Sequence, residues 1–336
     1  MNAIIKEIVD NEKFKDCLDN INKKISPINI LGLTDVAKVL SLTVAKETCK
    51  RPICLITYNE IQAKKLLEDI KYFNSKVVYL PKKDIVTYDY IAESKDLPYE
   101  RIEALNRIYN GSADIVVTTI EACMQKMISP KELYSNVIKF EFNKEYKFEE
   151  IKEKLVKLGY ERAELIEGKG QFSVRGDIID IAITTNKGVR VEFWGDEIDS
   201  IRYFNISSQR SIEELNEIVI YPAHEYIVTN NIENIVNNIR DKYIGEYVQE
   251  DIELIKEGNY ISKIDKYLTC FYNKTANVLD YLKNNAIIFL DEIGKIKTRA
   301  ENISKDTQML IQTLTEKEKS IPEILQYLES YEAVEE

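Results

Sequence analysis

The chain has 336 residues, 44% hydrophobic and 31% charged, with 11 Gly and 7 Pro; this is ordinary globular composition, long enough for two or three domains, and it sets aside collagen-like and low-complexity classes. A net charge of −11 weighs against a stand-alone nucleic-acid binder, whose affinity comes largely from Lys and Arg on phosphates. Cysteines at 17, 49, 54, 123 and 270 form no C-x-x-C pair, so neither a disulfide framework nor a metal site is expected, and a reducing cytoplasm fits.

The opening MNAIIKEIVDNEKFKDCLDN carries no continuous apolar run, and no signal peptide or membrane span is visible. From there to about residue 130, short apolar runs alternate with helical patterns, the signature of a parallel α/β sheet. INILGL (28–33) reads as a first strand leading into DVAKVLSLTVAKE, and ICLITY (53–58) as a second. The helix NEIQAKKLLEDIKYF follows, with Ile61, Leu66, Leu67 and Ile70 as its apolar stripe. KVVYL (76–80) and ADIVVTT (113–119) read as third and fourth strands, the latter followed by helical IEACMQKM. This is the pattern of a RecA-like domain.

Near residue 130 the pattern changes. VIKFEF precedes a helix, KFEEIKEKLVKLGY, with Phe148, Ile151, Leu155 and Leu158 at spacings of three and four. Two hairpin arms follow, with Gly168 and Gly170 before one strand and a turn expected at Asn186-Lys187-Gly188. In VRVEFWGDEID, alternation puts Val189, Val191 and Phe193 on one face and Arg190, Glu192 and Trp194 on the other. Trp194 is the single Trp of the chain, and Trp with Arg on one face is the composition of a protein-binding hot spot. The plainer alternative covers Trp194 with a helix and pairs the arginines with Asp177 and Glu192. After about 220 the chain returns to helices, one apolar strand (AIIFLDE, 286–292) and a charged helical tail. The division expected is 1–130, 131–218 and 219–336, the middle part being a small α+β domain inserted into the α/β domain.

ILGLTDVAKV (30–39) stands where a phosphate-binding loop would. Such a loop needs glycines, whose backbone N–H groups wrap the phosphates, and a Lys-Ser/Thr pair. Only Gly32 and Lys38 remain; Asp35 and Ala37 take glycine positions, and Val39 replaces the hydroxyl that would hold magnesium. Asp291 and Glu292 resemble the acidic pair of a nucleotide hydrolase but are equally suited to cap the next helix. His224, the single histidine, reads as structural. No nucleophile or acid–base pair can be assembled, so no catalytic residue, cofactor or metal is expected.

The blocks GYERAELIEGKGQFSVRGDIIDI, VRVEFWGDEIDSIRYFNISSQRS and IYPAHEY, with looser matches in LGLTDVAKVL, LPYERIEALNRI, IVVTTIEACMQKM and FLDE, resemble the N-terminal part of bacterial transcription-repair coupling factors, itself similar to the excision-repair protein UvrB. The resemblance implies a fragment of a longer chain, with UvrB-like domains 1a, 2 and 1b and no nucleotide hydrolysis of its own. In the family an ATP-driven DNA translocase motor lies further along and engages RNA polymerase and double-stranded DNA. UvrB carries an extra DNA-clamping hairpin in the segment matching TYDYIAESKDLPYERIEAL, for which this sequence has no room. The resemblance implies that the small domain docks onto UvrA through Arg175, Arg190 and Trp194, with Glu192 beside them. It also implies that this face is masked by another part of the full-length protein. Trp194 stands where the family commonly has Phe, and Ala182-Ile183 where it usually has an aromatic and a proline. The alternatives are an ATP-dependent UvrB-type helicase subunit and a passive structural domain.

Overall fold

A computed structural model describes residues 12–83, 96–225, 227, 231–242, 246–256, 267–316 and 327–335. The expected absence of a clamping hairpin turns on residues 84–95, which lie outside the described residues. In chain order the strands are β1 (Ile53–Thr57), β2 (Val77–Tyr79), β3 (Ile115–Thr119), β4 (Met127–Ile128), β5 (Ile138–Glu141), β6 (Glu161–Arg162) and β7 (Gln171–Arg175). They continue with β8 (Ile178–Ala182), β9 (Lys187–Trp194), β10 (Glu197–Asn205), β11 (Ser211–Glu214), β12 (Glu217–Ile220), β13 (Thr275–Ala276) and β14 (Ile287–Leu290).

The fold is mixed α/β. A parallel sheet has the order β14-β1-β3-β2. β1 and β3 are buried throughout, which is why ICLIT and IVVTT read as unbroken apolar runs. On one face Val39, Leu42, Ala63, Leu66 and Ile70 pack against Ile53 and Leu55. On the other, Ile102, Leu105, Cys123 and Ile296 pack against Cys54, Ile56 and Val116. Hydroxyl and amide caps start the helices. Thr34 accepts from the Ala37 amide before the Asp35–Cys49 helix, and Asn59 from the Gln62 amide before the Glu60–Lys71 helix.

A six-stranded sheet, order β11-β10-β9-β8-β7-β6, lies between β3 and β14 in sequence. It is antiparallel except for β6 on β7. Its inner face (Phe172, Ile179, Ile181, Val189, Val191, Phe193, Ile198 and Ile201) packs on Ile151 and Leu155 of the Phe148–Lys157 helix. β5 pairs with β12 beside it.

Four local expectations are corrected. Residues 28–33 form no strand; they are coil with Leu31 91% exposed. On the face of the sheet reached from this end of the chain, the Glu12–Asn22 helix supplies the buried residue Leu18, with Phe14 and Ile21 packed beside it, so the run has no apolar surface to cover. Ile61 leaves the stripe at 82% exposure and Ala63 takes its place, because at 3.6 residues per turn Ile61 falls on the side of the helix opposite Ala63 and Ile70. The IEACMQKM helix is short, Ile120–Met124, and its chain then extends into β4. The turn before β9 spans Thr184–Asn186 and not Asn186-Lys187-Gly188: the amides of Ile183 and Thr184 both donate to the Lys187 carbonyl, and Lys187 already starts the strand.

Candidate protein-binding site

β9 alternates as its sequence requires. Val189, Val191 and Phe193 are buried, while Arg190 and Glu192 are half-buried and Trp194 is exposed on the outer face. Among the described residues no helix covers Trp194, which is 83% exposed. The hairpins β7/β8 and β9/β10 turn at the same end of the sheet, each through a glycine of positive φ, Gly176 and Gly195. Arg175 and Trp194 are the last strand residues before those turns. The outer face therefore carries Arg190, Glu192 and Trp194 in line along β9, the first and last about 13 Å apart at strand rise, with Arg175 beside them on β7.

The arginines are joined through a residue that pattern reading passed over. Asp180 of β8, 2% exposed, lies in register with Arg190. Arg190 donates from Nε to Oδ1 (2.7 Å) and from Nη2 to Oδ2 (2.8 Å). Arg175 donates from Nη2 to the same Oδ2 (2.5 Å). Arg190 also lies 4.7 Å from the Phe204 ring centroid and reaches Gln209 at 3.4 Å. Phe204 occupies the space above Gly188, where a Cβ would come within 2.5 Å of its ring. Glu192 accepts from Arg202 and from Ser200 (2.9 Å). The pairing of the arginines with Asp177 and Glu192 is thus replaced by pairing with Asp180, and Glu192 belongs to Arg202.

The chemical consequence is an excess of donors. Two guanidiniums share one carboxylate, and Arg175, with 47% of its side chain exposed, keeps donors free for an incoming carboxylate or carbonyl. Arg190, 15% exposed at its side chain, is the more firmly held. Trp194 adds a large apolar surface in water at the tip.

The loop expected to be a degenerate nucleotide site is filled from within. Gly32 has φ +79°, and Asp35 opens the Asp35–Cys49 helix, which buries Val39. Lys38 donates to Asp291 (2.7 Å) and Glu292 (2.8 Å), and Lys65 to Asp35 (2.6 Å). Thr57 and Gln62 complete Asp291, at 3.2 and 3.3 Å. Burial works against the charge on Lys38, but the bonds to Asp291 and Glu292 outweigh it and raise its pKa. The Asp35 carboxyl is lowered, chiefly by its bond from Lys65, and that of Glu292 by its bond from Lys38. Three carboxylates face two ammonium groups where a nucleotide would place its phosphates. Among the described residues no group of three or more His, Cys, Asp or Glu is disposed to hold a metal, and no helix is long and apolar enough to cross a membrane.

His224 is buried at 4% exposure, tilted against Tyr99 with ring centroids 5.2 Å apart. Burial brings its pKa down to about 4, against a hydrogen bond with the Gly159 backbone that raises it, so it is neutral and built into the packing.

Residues 138–226 match the family described as UvrB interaction domain. The six-stranded sheet with its outer Arg–Trp face lies within this matched segment. Almost the entire chain is, in turn, a relative of the transcription-repair-coupling factors. That of Bacillus subtilis (strain 168) is 30% identical over 345 residues, covering 96% of this chain and 29% of its own length. Those of Staphylococcus haemolyticus (strain JCSC1435) and Staphylococcus aureus (strain MRSA252) are 28% and 29% identical, each covering 94% of this chain and 28% of their own. The chain therefore spans less than a third of the length of these relatives.

Proposed function

We propose that this chain is the UvrB-like adaptor module of a transcription-repair coupling factor, and that it recruits UvrA to a stalled RNA polymerase during excision repair. The observation that carries this reading is the outer face of β7–β9. It presents a solvated Trp194 at the tip and, beside it, two arginines on a single carboxylate. A surface Trp left in water has no folding benefit to account for it, whereas an aromatic anchor flanked by arginines is what partner binding uses. Arg175 takes a partner carboxylate or carbonyl, Arg190 holds Asp180 and the face in shape, and Trp194 fills a shallow apolar pocket. Glu192 fixes Arg202 at the rim.

In this reading the chain comprises residues 1–130 and 219–336 as a non-hydrolysing α/β body and residues 131–218 as the docking domain. Motor activity, polymerase and DNA contacts belong to the rest of the full-length protein, as does any segment that masks the docking face. The Lys38–Asp291–Glu292 cluster supports the non-catalytic assignment, since a nucleotide would have to displace two ion pairs and meet a surplus of negative charge.

Calorimetric titration of UvrA with this chain tests the reading. Saturable binding is expected, weakened by at least about 1–2 kcal/mol in Arg190→Glu and in Trp194→Ala. Unchanged affinity in both variants would refute it.

A further inference from the structure

Residues Tyr221–Glu225, following β12, and Ile227 are gripped from two sides. Ala223 belongs to the core of the six-stranded sheet, and Ile227, four residues on, to the core of the parallel sheet. On the first side the Tyr160 hydroxyl donates to the Tyr221 carbonyl (2.9 Å) and the Ala223 amide to the Leu158 carbonyl (2.8 Å). On the second, the Tyr272 hydroxyl accepts from the Ile227 amide (2.8 Å). Between them Glu225, 6% exposed, accepts from Arg101 Nε and from Arg101 Nη2 at 3.2 Å, and pairs with Lys83 at 3.4 Å. Arg101, 1% exposed, also donates to the Pro81 carbonyl.

The Leu97–Tyr109 helix straddles the same junction. Its Ile102, Leu105 and Ile108 lie in the parallel-sheet core, whereas its Tyr99 packs on the core of the six-stranded sheet. Tyr99 approaches so closely that a Cβ on Gly170 would stand 2.3 Å from its hydroxyl, and a Cβ on Gly159 would stand 2.5 Å from His224. Glu103 of that helix meets Lys169 at 3.3 Å.

We propose that Glu225, with Arg101 and Lys83, is a positioning cluster that clamps the six-stranded sheet to the parallel sheet in one orientation, making Tyr221–Glu225 a rigid joint. A short link between bodies needs no buried ion pair, and such a pair is costly to desolvate unless its geometry is fixed. What it supplies is a single arrangement in place of a hinge. Force or displacement applied to the outer face of β9 therefore passes directly to the parallel sheet. The clamp holds whatever partner that face takes.

Spin labels at Lys64→Cys on the Glu60–Lys71 helix and Glu213→Cys on β11, with Cys17 and Cys49 changed to Ser, report the distance between the two sheets in the whole chain. One narrow distribution is expected, roughly doubled in width by Glu225→Gln and restored by no surface substitution distant from the joint. Should Glu225→Gln fail to fold, Lys83→Gln decides, because it removes one charge of the same cluster and leaves the Arg101–Glu225 pair in place. Broadening in a folded variant supports the clamp. A distribution as narrow as the parent's in the folded variant overturns it, as does a broad one in the parent.

Discussion

Asp180 offers both carboxylate oxygens to Arg190, side by side across β8 and β9, from a position only 2% exposed. Arg175 and Arg190 both donate to that carboxylate on the outer face. The proposed docking face and its internal support therefore share these two arginines, and the two roles separate by experiment.

Arg175 and Arg190 should differ in kind. Arg175→Ala removes an exposed donor and is expected to lower partner affinity while leaving the melting temperature nearly unchanged, as surface pairs contribute about 0–1 kcal/mol. Asp180→Ala strands both guanidiniums, and its cost should be about 2–3 kcal/mol, below that of a fully buried broken pair because the arginines reach water. Urea denaturation of the two variants measures the contrast; equal stability losses would contradict it.

Gly188 is a packing requirement of the same face. Its substitution by Ala puts a methyl 2.5 Å from the Phe204 ring and 3.1 Å from the Ile181 carbonyl oxygen. The ring must move, and with it the surface on which Arg190 lies. A loss of about 1–3 kcal/mol is expected, as for overpacked cores, together with weaker partner binding. A variant of parental stability and affinity would show that Phe204 does not support the arginine.

Much of this was legible in the sequence. Alternation alone sorted Val189, Val191 and Phe193 from Arg190, Glu192 and Trp194, because one face of the sheet is buried and a one-residue slip would invert it. Whether Trp194 met a helix or water was not legible, since that depends on what packs over the outer face. Asp180 was missed for a related reason: an acid between isoleucines looks like an ordinary outward residue until strand register sets it opposite Arg190. Lys38 and Asp291 lie 253 residues apart, beyond any local pattern. The run at 28–33 misled because a short apolar stretch without a sheet neighbour has no ladder to join.

Lys38 should not bind nucleotide. Its ammonium is committed to Asp291 and Glu292, so an ATP titration is expected to give no saturable signal in the parent chain or in Lys38→Ala. The substitution leaves Asp291, nearly buried, facing Glu292 and Asp35 without its cation, and a stability loss of about 1–2 kcal/mol is expected, given the partly open site. Saturable ATP binding that Lys38→Ala abolishes would overturn the non-catalytic assignment.

Acid should weaken the joint in two steps. His224 is held down to about 4, chiefly by burial. The unfolded chain therefore takes up that proton first, and the stability present above pH 6.5 drains as pH falls toward 4. Glu225 is held near 2: burial raises its pKa, but the charges of Arg101 and Lys83 and their hydrogen bonds outweigh that. Its contribution is complete above pH 4.5 and lost as pH falls through 2. Each step is worth about 3 kcal/mol at 1.36 kcal/mol per unit. Urea midpoints between pH 7 and 2 follow both, and His224→Asn should flatten the upper step. An unaltered slope in that variant would assign the upper step elsewhere.

Trp194 offers the most direct test of the docking reading because it is the single Trp of the chain. Biosynthetic replacement by fluorotryptophan gives one fluorine resonance, whose solvent isotope shift and relaxation report exposure at that ring alone. A solvent-exposed signal is expected in the free chain that loses its exposure and broadens as UvrA is added, saturating with the same affinity as calorimetry. Saturated UvrA binding with the Trp194 resonance unmoved and still exposed would contradict it.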